Sequence, residues 1–509
     1  MKHVVVWFKR DLRTQDHLPL AQAARAGTVS CVYFIEPDIW QSPDCAAQHY
    51  HFILESLKDL DAQLRQIDLK LTVLVGRATD CLDRIMGTVP FEALYSHEET
   101  GNGLTYQRDK AVARWCKQAG VGWHEYQQFG VRRGPHDRNE WKSAWQTFMS
   151  SAIWTPPKLA RSSELRLGDL IPTAVQLGLA KHDPPHRQRG GRDHAIETLN
   201  DFLEHRSQQY RGGISSPLSA PSACSRLSAY LSYGCLSMRE VFQATEHRIL
   251  ECTPASHRQK QGLQSFISRL YWHCHFVQKL EDEPAIEFHN MHRGYDGLRE
   301  TQWSDMHFHA LQTGCTGWPL VDACVVMLRE TGWLNFRMRA MLVSVAAYPL
   351  WLHWRPVGHW LAQQFLDYEP GIHWSQMQMQ SGTTGINVPR IYNPIKQAQD
   401  HDPRGIFVRR WLPALRRVPD AWLFEPGRLP ENLQVKYGVR IPTDVAAPVC
   451  NLELATREAK ERLFARRAIP QVRAAKKEIV RKHGSRKQLE PAITRTKKAT
   501  NSAQLSWDF

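Results

Sequence analysis

Four short runs in the first hundred residues, His3–Phe8, Thr28–Ile35, Leu69–Val75 and Ala93–Ser96, are apolar and rich in β-branched residues. The spans between them, such as Ala46–Gln66, carry helical periodicity. Strands divided by helices pair in parallel, because the crossover has to cover a face of the sheet. The alternation predicts an α/β domain with a parallel, Rossmann-like sheet over residues 1–154. Ligands of such sheets sit beyond the carboxyl ends of the strands. The loop after Phe8, Lys9-Arg10-Asp11-Leu12-Arg13, is therefore expected to line a crevice. Neither G-x-G-x-x-G nor G-x-x-x-x-G-K-[ST] follows any run, which excludes the usual dinucleotide and nucleoside-triphosphate loops.

Residues 155–192 turn to Pro, Arg, Gly and His, the composition of a linker. Beyond it the apolar period is helical, as in Gly262–Leu280 and Leu328–Trp351, so residues 193–466 are expected to form an all-α domain. Residues 467–509 read as a basic C-terminal extension that is partly flexible, with a helix expected at Gln471–Lys482. Charge is concentrated there. Of the chain's net +14, residues 456–500 carry +11, from 15 Lys/Arg and 4 Asp/Glu. Such a surplus points toward polyanions.

The longest apolar run, Ala340–Leu352, falls short of the ~20 residues that cross a bilayer, and no signal-peptide pattern follows Met1. The 11 cysteines include no C-x-x-C pair. That argues for reduced thiols in the cytoplasm and against a metal site. Membrane insertion is excluded, and a cytoplasmic monomer is expected.

Ser225 and Ser228 stand at the start of a helical run. Hydroxyls and unpaired amides at such a place either seat an anion such as a pyrophosphate or simply cap the helix. Five segments in order then carry a resemblance: Trp7–His17, Ser225–Ser237, Thr313–Ala323, Thr331–Arg339 and Arg390-Ile391-Tyr392-Asn393-Pro394. Together they resemble the photolyase/cryptochrome flavoproteins from about residue 3 to about residue 466, with His17 where Asn is usual. The resemblance implies that the helical domain binds FAD. It assigns cofactor contacts to Tyr210, Cys224, Ser225, Arg226, Leu227, Ser228, His273, Phe336, Arg339, Asp367, Tyr368, Glu369 and His373. Arg339 and Asp367 would form an ion pair beside the flavin ring. His373 would face N5 and change charge with pH, unless a one-residue shift puts Trp374 there. The segment Ser96–Asp109, with Glu98, Glu99 and Asn102, resembles an antenna-lining region, so a second chromophore of folate or flavin type is an open expectation.

Departures from the family pattern are equally specific. A photoreducing chain would use Trp354 and Trp303, but the flavin-proximal position is Met377. Either Trp374 replaces it or electrons enter by another route. The pocket's Glu-x-x-Trp becomes Arg269-Leu270-Tyr271-Trp272, which loses the carboxylate and keeps the indole, and a second pocket Trp reads Met379. Contacts to damaged DNA are assigned to Arg269, Trp272, Arg337, Gln378, Met379 and Gln397. Two readings follow. One is a light-driven lyase that splits pyrimidine photoproducts in UV-damaged DNA by electron transfer from reduced FAD. The other is a cryptochrome photoreceptor with little or no repair.

Overall fold

The structure is a computed structural model that describes residues 2–484 apart from Leu159, Glu164 and Asn387. β1 (His3–Phe8) is buried along its whole length, and β2 (Thr28–Ile35) along all but its first residue. With β3 (Leu71–Val75), β4 (Ala93–His97) and β5 (Gly122–Tyr126) they make a parallel sheet in the order β3-β2-β1-β4-β5. The short β6 (Arg161–Ser162) pairs with the start of β2. Val4 sits opposite both Val29 and Ala93, so β1 is central and is covered on both faces. That explains why its sequence is an unbroken apolar run. β5, Gly-Trp-His-Glu-Tyr, is an edge strand with no fully buried residue. Its polar composition hides it from a search for apolar runs.

The chain leaves the sheet through residues 155–191 and enters the helical half at the Arg192–Asp201 helix. The expected Ala46–Gln66 helix is observed as Ala47–Arg65, and Gly262–Leu280 lies within a 26-residue helix, His257–Asp282. The helical period over Leu328–Trp351 is in fact two helices, Pro319–Thr331 and Phe336–Ala347. Gly332, at φ 63°, ends the first in the left-handed conformation that glycine accepts without strain. Within the Thr313–Ala323 motif, Asp322 accepts hydrogen bonds from the Thr316 amide (2.9 Å), the Thr316 hydroxyl (2.7 Å) and the Gly317 amide (3.1 Å). The motif thus builds the turn that starts the Pro319–Thr331 helix.

The extension differs from expectation. The helix expected at Gln471–Lys482 is present as Pro470–His483, but it is docked rather than loose, with Val472 and His483 buried. Residues from 485 onward lie outside the described residues.

The sheet order reverses between β1 and β4, and the loop after β1 leaves the sheet at that point. It joins the two halves. Leu12 N donates to Tyr233 O (3.2 Å), Arg13 Nη1 to Gly234 O (3.0 Å), and Arg10 Nε to Ser232 O (2.8 Å). Gly234 is required there, since a Cβ would lie 2.2 Å from Arg10 O. Asp16 completes the seam with two bonds from Arg239, at 2.6 and 3.0 Å, both residues being buried. Removing one partner of a buried ion pair strands the other. Asp16→Ala should therefore cost about 3–5 kcal/mol, read as a lowered urea midpoint, whereas an unchanged midpoint would show that the seam carries no stability.

Candidate active site

The Cys224–Ser228 loop is the first element of the site. Arg226 adopts φ 62°, a left-handed conformation unusual for a side chain of its size, and its guanidinium lies 3.9 Å from the centre of the Trp333 ring. Arg206 donates to the carbonyls of Cys224 and Ser225 and fixes the loop from behind. Leu227, not a serine, occupies the N-cap of the Ser228–Ser232 helix, and no side chain caps it. The Ser228 hydroxyl is instead committed to Asp367. Of the two alternatives for these serines, simple capping does not occur. Among the described residues no side chain caps the first-turn amides, and Arg206, Arg226 and Arg339 bring positive charge to Cys224.

Arg339 and Asp367 meet in a two-pronged ion pair, Nη1–Oδ1 2.9 Å and Nη2–Oδ2 3.0 Å, while Arg339 Nε donates to Leu334 O at 2.6 Å. The guanidinium beside it, together with the Ser228 hydroxyl, holds the Asp367 carboxyl below its ordinary value despite burial. Tyr368 turns the other way and donates its hydroxyl to Asp44 at 2.6 Å. Asp44 gave no signal in the sequence. Glu369 lies 3.3 Å from Arg10 and is 4% exposed; burial outweighs the attraction of Arg10 and raises its pKa to about 7.

His373 differs from expectation. Its Nε2 donates to Gly358 O at 2.9 Å, and burial lowers its pKa to about 4. It is neutral at physiological pH and does not change charge there. Trp374, fully buried, stands 4.9 Å from the His373 ring and 5.9 Å from Trp354, whose indole N–H donates to Asn290 at 2.8 Å. Met377 is buried in the same cluster. Trp303 is not brought to Trp354: it packs on Phe308 at 4.9 Å, and Phe308 on Trp360 at 6.3 Å. Only the first pair of the expected tryptophan chain is therefore in ring contact.

The remaining residues divide by exposure. Tyr210 is buried, and Arg269 hydrogen-bonds its hydroxyl. One turn on, Trp272 is half-buried, 5.0 Å from His275 and 5.9 Å from Phe276. His273 lies near Arg10, and burial lowers its pKa to about 4. Phe336, Arg337, Met379 and Gln397 are half-buried. Gln378 is fully buried: it donates to Ile286 O (2.7 Å) and His289 O (2.8 Å) and accepts from Met291 N. Its amide is used within the core, so it does not face DNA.

Two further features lie in the α/β half. Asp11 Oδ2 is hydrogen-bonded by His17 Nε2 (2.9 Å) and His97 Nδ1 (2.7 Å), a buried trio with the residue types of a metal site. His17 Nδ1, however, accepts from Leu20 N, so Nε2 must carry the proton. It is a donor to Asp11, not a metal ligand. Beyond the ends of β1 and β2 opens a cavity walled by Trp7, Tyr33, Trp40, Tyr233 and Tyr368. Arg108 lies in its polar side, paired with Glu36 (3.1 Å), Glu99 (2.6 Å) and Asp109 (2.8 Å). Of the residues singled out in Ser96–Asp109, Glu99 and Asn102 line this cavity and Glu98 does not.

Comparison with known proteins decides the family. Residues 4–131 match the model of the DNA photolyase domain, and residues 266–465 match the FAD binding domain of DNA photolyase, together more than half of the chain. The chain belongs to the photolyase/cryptochrome family. It is 28% identical over 477 residues to a cryptochrome DASH of Gloeobacter violaceus, covering 89% of this chain and 93% of that one. It is 24% identical over 472 residues to a deoxyribodipyrimidine photo-lyase of Alkalihalophilus pseudofirmus, covering 87% and 94%. The fold matches a bacterial class III photolyase from Agrobacterium tumefaciens with a TM-score of 0.78 at 22% identity, over 92% of this chain and 98% of that one.

The photolyase-type helical domain is suited to FAD. Glu369 Oε1, His273 Nδ1 and Asn335 Oδ1 are buried polar atoms without a protein partner. Such atoms call for a polar ligand, and a flavin dinucleotide offers both donors and acceptors. An acid whose pKa is raised by folding stabilises the folded state below its ordinary value of 4.5 and loses that contribution as pH rises through about 7. Glu369→Gln should therefore flatten the stability of the flavin-free protein across that window. A series of urea midpoints against pH would measure it, and a slope equal to that of the parent would refute the shift.

Proposed function

We propose that this family member is a light-driven DNA repair lyase that acts on pyrimidine photoproducts. The observation that carries this reading is the pairing of Arg269 and Trp272 one turn apart on the His257–Asp282 helix, with Trp272 half-exposed. An indole offers a stacking face to an unstacked base, and a guanidinium beside it suits the phosphate of a flipped nucleotide. When bound, reduced and excited by blue or near-UV light, FAD supplies the electron that splits the photoproduct and receives it back.

The chain's own residues would prepare that event. The uncapped amides of the Ser228–Ser232 turn, with Arg226, would hold the pyrophosphate. Asp367 would hold the Arg339 guanidinium in place beside the ring, where its positive charge favours the reduced, anionic form. Neutral His373 would present a ring to the flavin without adding charge. Trp374 and Trp354 would be the inner stations for photoreduction in place of an indole at Met377. The aromatic cavity of the α/β half would hold a second, planar chromophore of folate or flavin type. Its presence would appear as a pigment extracted alongside FAD.

The cryptochrome reading is favoured by two features: Arg269 stands where the family's pocket carboxylate would be, and a docked helix continues past the matched domain. Illumination of reduced protein with oligonucleotides bearing a cyclobutane dimer or a 6-4 product separates the two. Restored bases are expected for a lyase, and no turnover of either lesion overturns it. For the cofactor, Arg339→Leu should lose flavin or its reduced state, whereas unchanged absorbance and occupancy would refute the role given to the Arg339–Asp367 pair.

A further inference from the structure

The helix Pro470–His483 begins beyond the end of the matched FAD-binding domain at residue 465, and it is pinned to the body at both ends. At its start, His292 Nε2 donates to Val472 O at 2.8 Å, and the Val472 side chain packs with Tyr295, Tyr348 and Leu463. At its end, Lys482 and His483 both donate to Glu283, at 2.7 and 2.8 Å. Between this helix and its predecessor, Leu452–Ala468, runs an open cleft of about 380 Å³.

Three cations, Arg467, Arg473 and Lys476, line the cleft, and no carboxylate does. Among the described residues none of the three forms an ion pair with an acid, although Glu453, Glu458 and Glu461 stand on the neighbouring helix. Arg473 and Lys476 are three residues apart and share one helical face, with Arg467 approaching from the other helix. Phe464, 47% exposed, stands at the rim. It also borders a second groove that contains Asn393 of the Arg390–Pro394 motif, while Gly385, on the loop leading to that motif, lines the cleft itself. The cationic cleft thus adjoins, across Phe464, a groove of mixed charge that carries Glu453 and Glu461 beside Arg457 and Lys460 and reaches Asn393, four residues before Gln397, one of the residues expected to contact DNA.

We propose that this cleft binds the phosphate backbone of DNA flanking the lesion, extending the contact surface beyond the flavin domain. The proposal rests on the repair reading for the identity of the polymer. Unpaired cations along an open trough suit a repeating anion, and contacts of this kind position the protein without reading sequence. Inorganic phosphate and free nucleotides share the anionic chemistry, so the test has to separate them from a polynucleotide.

The experiment uses the full-length flavin-loaded protein and the triple variant Arg467→Ala, Arg473→Ala, Lys476→Ala, which leaves the Val472 and Glu283 anchors in place. Anisotropy titrations with a labelled undamaged duplex are made over a series of salt concentrations. Each lost phosphate contact reduces the slope of log affinity against log salt by about 0.9, so the variant should be shallower by roughly 2–3. The charge-keeping variant Arg473→Lys should retain the parent slope. An unchanged slope in the triple variant, with circular dichroism and flavin absorbance like those of the parent, overturns the proposal. So does competition by inorganic phosphate at concentrations too low to act through ionic strength, effective against the parent and absent in the variant, since that would mark a free-anion site. Repair is read separately. A parent that mends neither photoproduct yet shows the slope difference overturns the lyase and supports the cleft.

Discussion

The buried carboxylate of Asp11 is the constraint on which the two halves of this protein depend. Its Oδ2 is held by two imidazoles, from His17 and His97, and its Oδ1 accepts from Lys9 N at 2.7 Å. The imidazoles and the hydrogen bonds they make keep it ionised well below the ordinary range despite complete burial. A charge so placed is tolerable only if every bond to it is made. The loop after β1 therefore has one available shape. That shape aims Arg10 at Glu369 and Arg13 at Gly234, and presents Asp16 to Arg239. The helical domain is oriented by the α/β domain through this loop.

Charge in the flavin region is arranged by contrast. Asp367 is fully paired and stays ionised, whereas Glu369, two residues on, sees one guanidinium at 3.3 Å and holds its proton to about pH 7. His373 is neutral for the opposite reason, since burial expels the proton from an imidazole as it retains one on a carboxyl. The ring pocket is thus nearly free of titration around neutrality on its histidine side and sensitive on its glutamate side.

What the sequence revealed depended on how local the cause was. The bounds of β1 and β2 were legible because central strands of a parallel sheet need unbroken apolar runs. β5 was hidden because an edge strand does not. The Arg339–Asp367 pair was implied by the family resemblance, and the two side chains do meet. The use of Gln378 to bind the Ile286–Met291 turn could not be read, since it joins segments about ninety residues apart. His373 shows the same limit: its Gly358 partner and its loss of charge arise from packing. The tail's composition suggested looseness, and two buried side chains, Val472 and His483, were enough to fix its first helix.

Tyr368 has a position shared by no other residue of the pair-forming segment. Its hydroxyl is anchored on Asp44 and its ring walls the aromatic cavity, while the adjoining Asp367 pairs with Arg339 and Glu369 with Arg10. Three consecutive residues therefore tie together the aromatic cavity, the Phe336–Ala347 helix and the loop after β1. With no spacer between the three contacts, a displacement at any one of them is passed directly to the other two through a single backbone turn.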